Sequence, residues 1–398
     1  MFSLFDRNFL TFLTGATILS IPMPMLIILG GLAGAQLAPD ASFATFPVSI
    51  QILAGLFVVA PMSLFMGRHG RKVGFLLAAI SAICGGVLAA LGLIQGSFLM
   101  LCAAHGLLGI AVVSFGLFRF AAAEFVDSKN QAKAISITLG IGLIAALLAP
   151  EVFRIFKDAL APIPLAGSYL ALSGIAILGT LPILAAKFSL PKQPQPATKT
   201  APTRRPSVLK RPKVLAAIIC SLGSSAGMTL LMTPTAIAMV GCGFLDVQAG
   251  DVIRWHVVAM FAPSFFTGSL ITRFGVERIV LLGGLIFAAA AAVALMGLGL
   301  TYFYVSLILL GIGWNFGFIG ASAMLNAELS PAEKPLFQGL NDTVVALGAT
   351  VASFSSGVLV SSFGWAVVAM VLFPFAIILM IGALYYGRQS KSQLEQAA

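Results

Sequence analysis

Charge is scarce in this chain: only 9% of its 398 residues are Asp, Glu, Lys or Arg, whereas 59% are hydrophobic. A soluble domain has about 25% charged residues, so this composition excludes a water-covered globular surface and indicates a protein with many membrane spans. Cysteine is rare as well, and the four cysteines lie in or beside apolar runs without a C-x-x-C spacing. That pattern predicts small hydrophobic side chains rather than a metal site.

The chain also lacks the signature of an ATP-driven pump. No G-x-x-x-x-G-K-[ST] loop occurs, so any transport would be driven by an ion or solute gradient. We predict no enzymatic activity, no cofactor and no metal. The start, MFSLFDRNFL, leads into an apolar run without a small-residue cleavage site, and we therefore expect the first span to remain in the mature protein.

Long apolar runs, in contrast, are abundant. About 20 such residues cross a bilayer core, and links of a few residues make consecutive helices antiparallel. The fold class that we predict is an all-α integral membrane protein. Its twelve transmembrane helices are expected at 9–34, 45–66, 73–95, 98–123, 132–155, 165–187, 213–241, 249–272, 278–299, 301–326, 337–362 and 365–386.

Lysine and arginine are unevenly distributed between the links. With both termini inside, 19 basic residues fall on the cytoplasmic side and three fall on the other side. Positive residues favour the cytoplasmic side, so both termini are predicted to be cytoplasmic. The net charge of +10 is then explained by loops that face anionic lipid, and nucleic acid is not needed as a partner.

A polar segment divides the spans into six and six. It covers 189–212, is rich in proline and basic residues and contains no acid, which is typical of an extended linker. The two halves repeat at an offset of about 204–205 residues, so that Glu124 corresponds to Glu328. The predicted domains are a six-helix bundle at 1–188, a cytoplasmic linker at 189–212 and a second six-helix bundle at 213–398.

These features resemble the major facilitator superfamily of secondary transporters over the whole chain. The family's loop between spans two and three reads G-x-x-x-D-R-x-G-R-K. Four residues match it here: Arg68, Gly70, Arg71 and Lys72. Ser63 and Gly67 replace the glycine and the aspartate, and Arg273 belongs to a partial second copy. Because that aspartate latches the bundles in the family, Arg68 or Arg71 would here pair with a carboxylate such as Glu124 or Glu328.

The resemblance implies two bundles related by pseudo-two-fold symmetry that carry a small organic solute by alternating access. The segments WHVVAMFAPSFFTG (255–268) and LGIGWNFGFIG (310–320) look like bacterial permeases, which implies a multi-pass monomer in the bacterial inner membrane. His105-x-x-x-Gly109 has the spacing of an antiporter motif and slightly favours proton-coupled export. Uptake of a small planar metabolite or vitamin is the alternative, and a non-transporting scaffold is a remote one.

Polar residues at membrane depth cost on the order of 3 kcal/mol or more when ionised, and they tend to face the bundle interior. Six are candidates for the substrate or proton pathway: His256, Trp314, Asn315, Asp342, His105 and Gln51. His256 either binds solute or proton, or it bonds a carbonyl near the interface. Trp314 and Asn315 either contact a planar solute or hold helices together. Asp342 either carries a proton or caps its helix.

Charged residues near the span ends are candidates for gating. The predicted gating and loop-motif residues are Arg68, Gly70, Arg71, Lys72, Glu124, Arg273 and Glu328. At the opposite ends, Arg254 lies three residues after Asp251, which favours a surface pair over an outer gate to another span. Glu151 and Arg154 have the same spacing and are predicted to form a salt bridge at the rim.

Overall fold

The computed structural model describes residues 6–127, 130–188, 208, 211–330 and 333–397. Within these residues the regular elements are α-helices and short 3₁₀ turns, which confirms the predicted all-α class. Most of the predicted linker 189–212 lies outside the described residues.

The helices have the following bounds. In chain order they are α1 (Arg7–Ser20), α2 (Pro22–Leu37), α3 (Phe46–His69), α4 (Arg71–Ile94), α5 (Phe98–Phe115), α6 (Phe118–Ala122), α7 (Gln131–Phe156), α8 (Ala166–Ala185), α9 (Pro212–Met232), α10 (Thr235–Gly241), α11 (Asp246–Phe261), α12 (Ser264–Phe274), α13 (Val276–Leu295), α14 (Leu300–Glu328) and α15 (Lys334–Ala397).

These helices account for the twelve predicted spans. Among the described residues, nine helical stretches are long and apolar enough to cross a membrane, and the bent pair of α11 and α12 makes a tenth. The fifth predicted span corresponds to α7. The last two both lie in α15, where Gly364 interrupts the helix with φ 79° and ψ 177°.

Proline explains three interruptions within single spans. Pro22 is the first residue of α2, Pro234 precedes α10, and Pro263 precedes α12. Proline has no backbone N–H and clashes with the preceding turn, so it bends or breaks a helix. The span formed by α11 and α12 is bent by 41° at this point.

The two copies of the loop motif share one backbone conformation. Gly70 separates α3 from α4 with φ 94° and ψ 149°, and Gly275 separates α12 from α13 with φ 90° and ψ 144°. Residues with a Cβ are strained at such positive φ, whereas glycine adopts it readily. The repeat seen in the sequence is therefore also a repeat of backbone geometry.

The helices form two compact units. Unit 1 comprises Met1–Pro196 and Leu245–Arg254, and unit 2 comprises Ala197–Phe244 and Trp255–Ala398. The boundary between them thus falls inside α11, directly after Arg254.

Candidate functional site

Three buried polar side chains from three helices are connected by hydrogen bonds inside unit 1. His105 on α5 has no exposed surface; its Nδ1 lies 3.0 Å from Gln51 Oε1 on α3, and its Nε2 lies 2.7 Å from the Tyr169 hydroxyl on α8. An amide oxygen can only accept, so Nδ1 donates to Gln51 and Tyr169 donates to Nε2. Both ring nitrogens of His105 are therefore bound by side chains of the same unit.

Glycines allow these helices to come close enough for the connection. A Cβ on Gly109 would collide with the Gln51 carbonyl oxygen, so α5 and α3 can touch there only without a side chain. A Cβ on Gly30 would lie 2.8 Å from His105 Cε1. The sequence placed Gln51 and His105 among the pathway candidates but did not identify Tyr169, one of only five tyrosines in the chain.

His256, on α11 in unit 2, is also completely buried but is only half bound. Its Nδ1 lies 2.7 Å from the Leu307 carbonyl oxygen on α14. A carbonyl accepts, so this nitrogen carries a proton. Nε2 is buried and has no hydrogen-bond partner in the described part of the chain. Gly311 allows the close approach of α14, because a Cβ there would lie 2.6 Å from the His256 carbonyl oxygen.

Asn315 binds both sides of the bend in span eight. Its Nδ2 donates to the Met260 carbonyl oxygen and to Ser264 Oγ, each at 2.7 Å, and Thr267 Oγ1 donates to its Oδ1 at 2.6 Å. The side chain is completely buried. This arrangement gives Asn315 a packing function, and its predicted contact with solute stays a prediction.

Trp314 lies beside Asn315 on α14 but has different surroundings. Its ring is stacked on Phe318, with centroids 5.0 Å apart and planes 8° apart, and Phe261 meets it edge-on at 6.3 Å. The three residues, here called the aromatic shelf, are all partly exposed. Trp314 Nε1 is buried and has no hydrogen-bond partner among the described residues. Such a surface can stack a planar solute.

Asp342 is exposed near the start of α15. The neighbouring Asn341 is buried; its Nδ2 lies 3.5 Å from Asp342 Oδ1, whereas its own Oδ1 has no hydrogen-bond partner in the described residues. Proton binding by Asp342 stays a prediction.

The loop-motif residues of unit 1 form an ion pair and hydrogen bonds with residues at the ends of other helices. Arg71 Nε donates to Glu124 Oε1 at 3.0 Å. Lys72 Nζ donates to the Leu184 carbonyl oxygen at 2.5 Å and lies 3.3 Å from that of Ala186. A cation at the C-terminal end of α8 is favoured by the helix dipole. Arg68 is exposed, and Gly70 supplies the backbone turn described above.

The corresponding residues of unit 2 have other partners. Glu328 lies 3.3 Å from Lys213 Nζ on α9, and it accepts a hydrogen bond of 2.9 Å from the Tyr386 hydroxyl on α15. Arg273 lies over the ring of Phe274, 5.2 Å from its centroid. The repeat therefore keeps the carboxylate while changing what binds it.

An ion-pair network connects the end of α7 with the first half of α11, inside unit 1. Arg254 Nη2 lies 2.6 Å from Glu151 Oε1, and Arg254 Nε lies 3.3 Å from Asp251 Oδ1. Glu151 also binds Arg154 at 3.0 Å. The structure thus contains the surface pair together with the contact to span five that the sequence had left as an alternative.

Another ion pair between the end of α7 and the start of α11 was not predicted from the sequence. Lys157 Nζ lies 2.8 Å from Asp246 Oδ1, 89 positions away in the chain. Partial burial lowers the pKa of Lys157, but the hydrogen bond and the charge of Asp246, together with Asp158, raise it more, so this pKa lies above its ordinary value. Lys157 is therefore held as a cation.

Comparison with known proteins agrees with this architecture. Residues 248–398 match the family model described as Major Facilitator Superfamily. The riboflavin transporter RfnT of Brucella anthropi is 38% identical over 362 residues, a match that covers 90% of this chain and 90% of that protein. The uncharacterized MFS-type transporter YddS of Bacillus subtilis is 26% identical, and the match covers 88% of this chain and 86% of that protein.

Solved structures show the same fold. A variant of the nucleoside transporter NupG has a TM-score of 0.78 at 14% identity, covering 96% of this chain and 100% of that chain. The POT family transporter PepTSo has a TM-score of 0.73 at 11% identity, covering 98% and 99%. With the relative at 38% identity, the conclusion is that the chain belongs to the major facilitator superfamily and is a multi-pass secondary transporter of a small molecule, not an enzyme.

Proposed function

We propose that this transporter carries riboflavin, or a flavin closely related to it, into the cell. The observation that carries the proposal is the 38% identity, over 90% of both chains, to a protein named as a riboflavin transporter. Riboflavin has a flat three-ring system with a polar imide edge. It therefore matches the planar metabolite or vitamin of the uptake alternative.

The aromatic shelf supports a planar substrate. Trp314 and Phe318 are nearly parallel, 8° apart, and both are partly exposed. Stacking of an aromatic ring contributes about 0.5–1.5 kcal/mol beyond the burial of apolar area. We propose that the flavin ring stacks on this shelf, and that Phe261 limits its position from the side.

The surroundings of His105 remove the argument from sequence that favoured export. The preference for proton-coupled export relied on His105 at the antiporter-motif spacing. Both nitrogens of its ring are bonded to Gln51 and Tyr169, and the side chain has no exposed surface. We therefore assign His105 and Gln51 to the internal packing of unit 1 and leave them out of the substrate pathway.

The remaining parts of the proposal concern coupling and placement. Proton coupling depends on Asp342, the exposed carboxylate near the start of α15. The distribution of basic residues supports a bacterial inner membrane location with both termini in the cytoplasm. We also propose that 1–188 and 213–398 act as the two moving bundles of a monomer, and that 189–212 links them.

The test is uptake of radiolabelled riboflavin into proteoliposomes that contain the purified chain, measured with and without an imposed pH gradient. We expect saturable uptake by the wild type, and stimulation by an inward proton gradient if Asp342 carries the proton. Trp314→Ala should raise KM about ten-fold, the equivalent of about 1.4 kcal/mol of lost stacking. Trp314→Phe keeps an aromatic ring and should stay within about three-fold of the wild type.

The matched control is Trp255→Ala. This indole is 44% exposed and lies outside the aromatic shelf, so we expect unchanged uptake. A wild-type protein that does not move riboflavin would refute the proposal. Equal effects of Trp314→Ala and Trp255→Ala would refute the aromatic shelf as the binding site. They would not contradict riboflavin as the substrate.

A further inference from the structure

The unpartnered nitrogen of His256 carries an inference that rests on the proposed function and deepens it. We infer that His256 determines specificity: its neutral ring accepts a hydrogen bond at Nε2 from the imide N–H of the substrate. The ligand class that this position would select is a planar heteroaromatic ring with a –CO–NH–CO– edge. Such an edge is present in riboflavin.

The first step of the argument is the tautomer. Nδ1 lies 2.7 Å from the Leu307 carbonyl oxygen, which can only accept, so the proton of a neutral ring is on Nδ1. Nε2 then has a lone pair and no proton. The ring is held in this form by a backbone atom of α14, which no side-chain substitution in the neighbourhood removes. Nε2 of His256 is therefore a hydrogen-bond acceptor.

The second step is that the acceptor has no partner. His256 is completely buried, and its Nε2 is among the few buried side-chain atoms without a hydrogen bond in the described residues. Buried polar groups are nearly always paired, and an exception calls for a cause such as a ligand or an unseen water. The Asn315 amide does not bond to it, because its Nδ2 donates to Met260 and Ser264.

A second buried polar atom without a partner lies on α14. Trp314 Nε1 is an N–H that can only donate, and it too is buried without a partner in the described residues. Trp314 lies three residues beyond Gly311, about 4.5 Å along the helix, and a Cβ on Gly311 would lie 2.6 Å from the His256 carbonyl oxygen. The acceptor on α11 and this donor on α14 are thus both unused in the described residues. Because the indole N–H lies in the plane of its own ring, it cannot reach a flavin stacked on that ring, and the inference rests on the acceptor.

One member of the aromatic shelf lies on the helix that carries the acceptor. Phe261, which contacts Trp314 edge-on, lies five residues beyond His256 on α11. The shelf and the acceptor thus belong to the same pair of helices, α11 and α14. We place the flavin ring on the shelf and its imide N–H at Nε2 of His256.

The experiment compares riboflavin with 3-methylriboflavin, in which a methyl group replaces the imide hydrogen. Binding to the purified full-length protein is measured by the quenching of flavin fluorescence. We expect the wild type to bind riboflavin at least ten-fold more tightly than the methylated compound, because a site built around a hydrogen bond rejects an analogue that lacks it. His256→Ala should weaken riboflavin binding and bring the two dissociation constants within two-fold of each other.

Two further variants separate a lost hydrogen bond from general damage. His256→Gln retains an oxygen that can accept, so it should recover part of the preference for riboflavin. Trp255→Ala alters the exposed neighbour of His256 and should keep the full preference. A thermal unfolding curve for each variant verifies that it is folded.

The outcomes separate the two proposals. If the wild type binds riboflavin but His256→Ala retains the same preference over 3-methylriboflavin, the inference about His256 is wrong and the proposed function stands. The same conclusion follows if the wild type binds both flavins equally well. If the wild type binds neither flavin, the proposed function fails and the inference fails with it.

Discussion

The two buried histidines of this transporter are packed alike but bound differently. His105 in unit 1 and His256 in unit 2 have no exposed surface, and each lies where a glycine lets two helices touch: Gly109 faces the Gln51 carbonyl oxygen, and Gly311 faces that of His256. Both ring nitrogens of His105 are hydrogen-bonded inside the unit, whereas His256 uses only Nδ1.

This difference shows that burial alone does not identify a functional histidine. A buried ring with two partners connects helices, and its removal leaves those partners buried without a hydrogen bond. A buried ring with one partner contributes less to packing and keeps one group available for a ligand. Two substitution experiments test this distinction, and a third compares the two halves at Glu124 and Glu328.

The largest effect should come from replacing each histidine with a side chain of similar size. His105→Leu removes the hydrogen-bond partner of two buried groups, Gln51 Oε1 and the Tyr169 hydroxyl. This loss should lower the free energy of unfolding by about 2–5 kcal/mol. His256→Leu loses one hydrogen bond but also removes the unpartnered Nε2, so its stability should stay within about 1 kcal/mol of the wild type. Thermal unfolding in detergent measures both. Similar losses for the two variants would contradict the comparison.

The next effect concerns the two glycines at the helix contacts near the histidines, Gly109 and Gly311. Alanine at Gly109 or Gly311 would push a Cβ into a backbone carbonyl oxygen, and each variant should lose about 1–3 kcal/mol. Gly311→Ala should also weaken riboflavin binding, because it displaces His256, and Gly109→Ala should not. Gly268→Ala is the control: a Cβ there has open space, and alanine favours a helix, so stability should be unchanged or higher. Equal flavin binding by Gly109→Ala and Gly311→Ala would contradict this account.

The smallest effect distinguishes the two carboxylates of the loop motif. The side chains of Lys213 and Glu328 are 10% and 21% exposed, whereas those of Arg71 and Glu124 are 22% and 41% exposed. Lys213→Met should therefore cost about 1–2 kcal/mol and Arg71→Met less than about 1 kcal/mol, because water and salt screen the more exposed pair. Unfolding at low and high salt provides the measurement. A larger loss for Arg71→Met would reverse the assignment.

The fold could be predicted because hydropathy and charge act locally along the chain. The twelve spans follow from runs of apolar residues, and the breaks inside spans eight and seven occur at Pro263 and Pro234, as proline requires. The loop-motif match placed Gly70 and Gly275 at corresponding positions, and both have a positive φ, which the sequence analysis did not predict. Comparison with relatives and solved structures confirms the superfamily.

The site was predictable only as a set of residues and not as a set of contacts. Apolar side chains lie on every face of α14, so no pattern in its sequence indicates that Asn315 bonds to α11 and α12 while Trp314 stacks on Phe318. Tyr169 reaches His105 from 64 positions away, and Asp246 reaches Lys157 from 89. Such pairings depend on how each helix is rotated about its axis, which hydropathy does not determine.

The amide of Asn315 has a mechanical consequence for span eight. A helix interrupted at proline lacks hydrogen bonds at the break and can act as a hinge. Here the residues before and after Pro263 are bound to one side chain of a third helix, through Met260 on one side and through Ser264 and Thr267 on the other. These hydrogen bonds therefore hold α11 and α12 at their angle of 41°. If the aromatic shelf is displaced, α11 and α12 should therefore move together as one rigid body, and the movement would reach Arg273 near the end of α12.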